Sequence, residues 1–162
     1  MGALQRQVVL AFCFASLVAA TGCETTSYAE AERAESQRLA EAGDPEARYQ
    51  LGKMHEDGIG VDRDIEKALE LYRRAAEGGS QKAQYELATI YRQGRGVASD
   101  EAQAIDWYRK AAERGHVRAQ YELGEAYATG RGVSEDFAEA ARWWRMAAEA
   151  GNIHAQYGAG ST

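Results

Sequence analysis

The chain has 162 residues, 45% apolar side chains, a single proline and a formal net charge of −6 at neutral pH. This length and apolar content are typical of one globular domain. An acidic chain without a run of lysine or arginine lacks the electrostatic footprint of nucleic-acid-binding proteins, so we expect no nucleic-acid partner.

The N-terminal segment has the organisation of an export signal. Arg6 precedes an uncharged apolar run at residues 8–20. The run has the length of a signal-peptide core, about 7–15 residues, and is shorter than the ~20 residues that span a bilayer. We therefore predict that residues 1–22 are a signal peptide that is removed from the exported protein.

The letters ATGC at the end of this run resemble a bacterial lipobox, which implies cleavage before Cys23 and a lipid such as palmitate on its thiol. Ala20 stands where that motif more often has leucine, and cleavage after Ala20 would instead leave a soluble exported protein. Cys13 would leave with the signal, so Cys23 would have no intramolecular disulfide partner. We expect lipidation and attachment at the periplasmic face of a bacterial membrane, the outer membrane in preference to the inner.

A short tether and a capping helix are predicted next. Residues 23–26 form the tether, and residues 27–42 form a helix that begins with the capping box of Ser27 and Glu30. The closing letters LAEAG match the end of the second helix in each later unit. This helix is predicted to cover the first of those units.

The remaining chain repeats every 36 residues, and each unit predicts two helices, A and B, joined by a GxGV turn. Because one such helix pair cannot bury its own apolar face, the units should stack into an all-α superhelical α/α solenoid. Helix B is expected to begin near an aspartate in each unit: Asp64, Asp100 and Asp136. Three full units and a truncated fourth occupy residues 41–76, 77–112, 113–148 and 149–162.

The helix ends differ in quality between units. Ser80 is a favourable N-cap for the second helix A, whereas His116 is a poor one for the third. The truncated fourth unit should cover the last full helix incompletely, leaving part of Trp143, Trp144 and Met146 uncovered. We therefore expect self-association, or a partner, at the C-terminal end.

The units resemble the Sel-one-like repeat family, a relative of the tetratricopeptide repeat, over residues 41–157. The resemblance rests on the letters AQYELG, GRGV and WYRKAAE in strict register. It implies a non-enzymatic adaptor without cofactors that holds other proteins together, and bacterial members are often exported. His55 and Ala88 depart from the pattern, standing where the other units have Tyr and Gly, and we expect local repacking at both.

Catalytic and metal-binding patterns are missing from the sequence. The GxGV turns lack the preceding strand and the Lys-Ser/Thr of a phosphate loop, and the three histidines occupy different repeat positions without a paired ligand. Some cysteine-rich exported relatives are linked to β-lactam binding and hydrolysis, which is the enzymatic alternative. No cysteine lies in any repeat and no S-x-x-K motif is present, so we predict no enzymatic activity and no metal.

A tyrosine recurs in each helix A, opposite the leucine face of the same helix. The resemblance to tetratricopeptide-like solenoids implies that helix A forms the concave wall, so this stripe would line a groove. The candidate groove residues are Glu46, Tyr49, Lys53, Lys82, Tyr85, Arg92, Arg118, Tyr121, Glu125 and Tyr157.

Two interpretations of the repeated tyrosine remain open, and they are not exclusive. The rings could form a docking surface, since tyrosine presents apolar area and a hydroxyl at little rotamer cost. They could instead wedge between adjacent A helices as packing. The mixed charge of the stripe favours an envelope protein or peptide as the partner, and the alternative is cell-wall peptidoglycan, because aromatic ladders also stack on sugars.

Overall fold

The computed structural model describes residues 24–152, 154 and 155; Cys23, Tyr157 and the predicted signal peptide lie outside this part. The described residues form seven α-helices and no strands. These are α1 (Glu24–Glu41), α2 (Pro45–Asp57), α3 (Ile65–Glu77), α4 (Gln81–Gln93), α5 (Glu101–Glu113), α6 (Val117–Thr129) and α7 (Phe137–Glu149).

The helices stack in chain order. Each packs against the next in sequence, and α2 also contacts α4, the first helix of the following repeat. The pairs α2/α3, α4/α5 and α6/α7 are the A and B helices of three repeats, with α1 placed before them. Because contacts run from neighbour to neighbour, the architecture is an elongated solenoid, as predicted.

The repeat boundaries follow from capping chemistry. The three A helices end at Gly58, Gly94 and Gly130, whose φ angles of +71°, +69° and +66° are left-handed and favour glycine. The three B helices begin after an aspartate whose carboxylate accepts a backbone N–H from the first turn: Asp64, Asp100 and Asp136.

The first helix differs from the prediction at its N-terminus. It begins at Glu24 rather than at Ser27, so residues 24–26 are helical and not an extended tether. The sequence of α1 contains no glycine or proline, so nothing stops the helix from extending beyond the predicted capping box. α1 packs on α2, where Ala40 is buried with Ala47 and Leu51.

Within each repeat, a large aromatic side chain of helix B lies against a small residue of helix A. Tyr72 faces Gly52, and Trp144 faces Gly124. A Cβ atom added to Gly52 would lie 2.9 Å from the Tyr72 ring. The middle repeat has Ala88 at this position, in one buried cluster with Tyr108.

The C-terminal end is better covered than the sequence suggested. Trp143 and Trp144 are only 5% and 8% exposed, because Trp143 packs among residues of α5 and α6 and Trp144 packs in a cluster with Ala155. The expectation that these tryptophans remain uncovered is therefore wrong. Met146 is half-buried, and the large apolar side chain that is exposed on α7 is Phe137.

Candidate functional site

The predicted groove residues lie on the A helices and stay accessible. Nine of the ten belong to the described part, and none of these nine is buried. Leu51, Leu87 and Leu123, on the opposite face, are all buried. The structure thus separates a leucine face in the core from a tyrosine face at the surface.

A cleft of about 520 Å³ crosses the start of the A helices of the three repeats. Of the predicted residues, Tyr49, Lys82, Tyr85 and Arg118 line it, while the other five described ones lie outside it along the same helices. Glu86 and His116 also line the cleft and were not predicted. The sequence could have indicated both, because Glu86 follows Tyr85 directly and His116 is the N-cap of the next helix A.

The stripe tyrosines of the described helices, Tyr49, Tyr85 and Tyr121, form the tyrosine ladder, and each contacts at least one other aromatic ring. The ring centroids of Tyr49 and Tyr72 are 5.7 Å apart, and those of Tyr85 and Tyr108 are 5.6 Å apart, so the ladder rings contact the helix B aromatics. Tyr85 also stacks on His116 of the next repeat with a centroid distance of 4.6 Å. The ladder rings are half-buried, which gives them a packing role and leaves area for a partner.

Further along the A helices, ion pairs join one repeat to the next. Arg95, in the turn after α4, bridges Glu86 at 2.5 Å and Glu56 of the preceding repeat. Glu56 also accepts a hydrogen bond from the hydroxyl of Tyr72 at 2.7 Å. Arg95 therefore offsets part of the negative charge of these two glutamates and links the two repeats.

Three cations of the predicted groove, Arg92, Lys82 and Arg118, have different surroundings in the structure. Arg92 pairs with Glu122 of the next repeat at 2.6 Å, so it belongs to the inter-repeat contact and does not line the cleft. Lys82 pairs with Glu46 at 2.5 Å. Arg118 is exposed and forms no ion pair within the described residues, which leaves its guanidinium available to a ligand.

The tyrosine hydroxyls near the site act as hydrogen-bonding groups. Burial raises the pKa of Tyr72, and burial raises the pKa of Tyr108 to about 12, so both stay protonated near neutral pH. Among the described residues, no group of three or more His, Cys, Asp or Glu side chains is placed to hold a metal ion. The arrangement is suited to binding by apolar area and charge.

No helix in the described part of the chain combines the length and the apolar character required to cross a bilayer.

Three consecutive segments, residues 45–80, 81–116 and 117–152, match the family model of the Sel1 repeat. The chain belongs to the Sel1 repeat family. The matched segments have the 36-residue length read from the sequence and start four residues later, at the first residue of each helix A. Sel1 repeat proteins generally mediate protein–protein interactions and are generally non-enzymatic.

Solved structures share this Sel1 architecture. A Sel1 repeat protein from Oxalobacter formigenes is 36% identical, with a TM-score of 0.77 over 79% of this chain and 96% of that protein. The protective antigen c5321 of uropathogenic Escherichia coli, with an SLR fold, is 40% identical with a TM-score of 0.73, over 76% of this chain and 27% of its own length. Helicobacter pylori cysteine rich protein B shares the fold at 20% identity, with a TM-score of 0.60 over 76% of this chain and 94% of that protein. No curated protein matches the sequence.

His116 caps the third Sel1 repeat, contrary to the expectation from its residue type. Its Nδ1 accepts the backbone N–H of Ala119 at 3.2 Å, as the hydroxyl of Ser80 does for Ala83 in the second repeat. Stacking on Tyr85 holds the ring in place. A neutral imidazole with its proton on Nε2 therefore provides the acceptor that capping requires.

This cap makes the third Sel1 repeat sensitive to pH. Burial, followed by the nearby charge of Arg118, lowers the pKa of His116 below its ordinary value of 6.5. As pH falls, the unfolded chain therefore binds the proton first, and the stability that is fully present above pH 6.5 is lost through the folded-state pKa. Protonated Nδ1 can no longer accept from Ala119, so we expect acidification to remove about 1 kcal/mol of stability.

Thermal melts at about pH 7.5 and pH 5 of wild type and His116→Asn check this expectation. Asparagine caps the next unit, where the Asn152 side-chain oxygen accepts from Ala155 at 3.2 Å, and it does not titrate. The variant should lose less stability on acidification than wild type. An unchanged pH dependence would assign the effect to other groups.

Proposed function

We propose that this chain is an exported, non-enzymatic scaffold that docks a protein of the bacterial cell envelope in the cleft formed by the A helices. The observation that supports the proposal most is the pair of half-buried tyrosines, Tyr49 and Tyr85, in a cleft of about 520 Å³. Rigid aromatic rings of this kind supply contact area at low entropic cost.

The chemistry of the cleft favours an extended peptide or a protruding loop over a polyanion. The cleft crosses three repeats, so an occupant can contact Tyr49, Tyr85 and the region of Arg118 together. Glu86 is already paired with Arg95, and Lys82 is paired with Glu46, whereas Arg118 is exposed. An acidic group of the partner close to Arg118 would therefore complete the charge pattern.

Site-specific crosslinking in intact cells tests the docking surface. A photo-crosslinking residue at position 118 should capture a discrete envelope protein, and Tyr85→Ala should reduce that product at least several-fold. Position 145 is the control, because Arg145 is an exposed arginine on helix B, outside the cleft. Equal capture from both positions, or binding to purified peptidoglycan in place of protein, would overturn the proposal.

The attachment to the membrane is a separate part of the proposal and rests on Cys23. With α1 helical from Glu24, an acyl chain on Cys23 would join the bilayer to a helix of 18 residues, about 27 Å at ~1.5 Å per residue. The cleft would then operate close to the membrane.

We expect the wild-type protein to sediment with membranes and to carry the mass of its lipids, and Cys23→Ser to be released in soluble form. Intact-mass spectrometry and membrane fractionation of both proteins provide the measurement. An unmodified and soluble wild-type protein, with cleavage after Ala20, would contradict the lipoprotein assignment and leave the docking cleft unaffected.

A further inference from the structure

A second cavity, of about 640 Å³, lies between α1 and the first repeat, away from the cleft. Its walls come from α1, α2, the turn that follows α2, and α3. The volume is within the range of small-molecule sites, about 300–1,000 Å³. We name it the His55 cavity, because His55 of α2 lines it.

Two side chains that line the cavity, His55 and Gln37, have larger counterparts in the next repeat. There, Tyr91 stands at the repeat position of His55, and Arg73 of the preceding helix B donates a hydrogen bond to its hydroxyl at 3.2 Å. The position of Arg73 is taken in α1 by Gln37, which also lines the cavity. The counterpart between the next repeats, near Trp107, measures about 370 Å³.

The tyrosine and arginine pair recurs at the following boundary as well. Arg109 donates to the hydroxyl of Tyr127 at 3.3 Å. His55 and Gln37 therefore replace the tyrosine and arginine pair only at the boundary between α1 and the first repeat, where the His55 cavity lies.

Two polar atoms at this cavity lack hydrogen-bond partners. His55 is only 7% exposed, and its buried Nδ1 has no partner among the described residues. The buried Nε of Arg33, which also lines the cavity, likewise has none in the described part of the chain. Buried polar groups are normally paired, so the buried Nδ1 of His55 is free to bond to a ligand that enters the cavity.

The charge of the lining identifies the class of ligand. Two guanidinium groups are fixed by backbone contacts: Arg48 Nε donates to the carbonyl of Ala40 at 3.1 Å, and Arg63 Nε donates to the carbonyl of Glu56 at 3.0 Å. Both bonds use Nε and leave the terminal nitrogens for other partners. Arg74 also lines the cavity but pairs with Glu70 at 2.5 Å. The other charged side chains of the lining are four cations and three acids: Arg33, Arg48, Arg63 and Lys67 against Glu41, Asp62 and Asp64.

We propose that the His55 cavity binds a small anionic molecule through a carboxylate or phosphate group held by Arg48, Arg63 and the imidazole of His55. Guanidinium groups bind both oxyanions with short, charge-assisted hydrogen bonds, and a buried imidazole nitrogen adds a directional contact. The site does not depend on the docking cleft, so each proposal can fail without the other.

Calorimetric titration of the full chain, purified in detergent, with inorganic phosphate and separately with citrate provides the test. Salt of matched ionic strength serves as the blank. At least one of the two anions should bind, and the stronger one identifies a phosphate or a carboxylate as the preferred group. Failure of both to bind at millimolar concentration overturns the proposal.

The matched variant is His55→Tyr combined with Gln37→Arg, which recreates the pair found at Tyr91 and Arg73 and should fold. It should bind the anion at least roughly tenfold more weakly, because the cavity is filled and a charge-assisted contact is lost. Arg63→Ala should weaken binding similarly, and Arg145→Ala should leave it unchanged. Wild-type affinity in the double variant and in Arg63→Ala would overturn the proposal.

Discussion

Replacing Gly124 by alanine is expected to destabilise the chain by about 3 kcal/mol, the upper end of the usual cost of overpacking a core. A Cβ at this position would lie 2.8 Å from Cγ of Trp144 and closer still to Cδ1 and Nε1 of the same ring. Trp144 is only 8% exposed and cannot move aside without disturbing the core. Urea unfolding followed by circular dichroism gives the change in stability.

The matched rescue is available within the chain itself. The middle repeat has Ala88 together with Tyr108 where the third has Gly124 together with Trp144. Adding Trp144→Tyr to Gly124→Ala should therefore recover most of the lost stability, although Trp144→Tyr alone leaves unfilled space. Purely additive effects in this double-mutant cycle would show that the steric explanation is wrong.

Leu87→Ala is expected to cost about 3 kcal/mol or more, within the ~2–5 kcal/mol measured for buried leucines. Leu87 is fully buried in the cluster that also contains Leu69 and Tyr72. A solenoid of three repeats has few neighbour contacts to compensate the loss, so the melting temperature should fall by many degrees. Thermal melts and urea titrations both report this change.

Tyr85→Ala is the comparison for Leu87→Ala. Its ring contacts Tyr108 and His116 but is less buried than Leu87, so we expect a smaller loss, about 1–2 kcal/mol. A loss as large as that of Leu87→Ala would mean that the ladder is packing alone. The docking surface would then have to be sought elsewhere.

Much of the architecture could be predicted from the sequence because it follows from local rules. The period of 36 residues predicts the helix pairs, glycine C-caps end the A helices, and the aspartates Asp64, Asp100 and Asp136 start the B helices. These signals depend on residues close together in the chain. They are therefore readable without knowledge of tertiary contacts.

The predictions that failed depend on contacts between distant residues. His116 is a poor cap by residue type, yet stacking on Tyr85 orients its Nδ1 to accept from Ala119. The burial of Trp144 depends on the absence of a side chain at Gly124, which only the packed structure reveals. The pairing of Arg92 with Glu122 likewise depends on the packing of adjacent repeats and cannot be read from one repeat alone.

The contact between α1 and the first repeat buries smaller side chains than the later boundaries, so α1 should open more easily than the repeats. Its buried apolar cluster consists of Ala40, Ala47 and Leu51, whereas the later boundaries are filled by aromatic rings such as Tyr72 and Tyr108. Opening free energies follow buried contacts, so backbone amides of α1 should exchange with deuterium before those of the repeats. Because α1 forms a wall of the His55 cavity, an anion that binds only the closed form would slow this exchange in proportion to its occupancy.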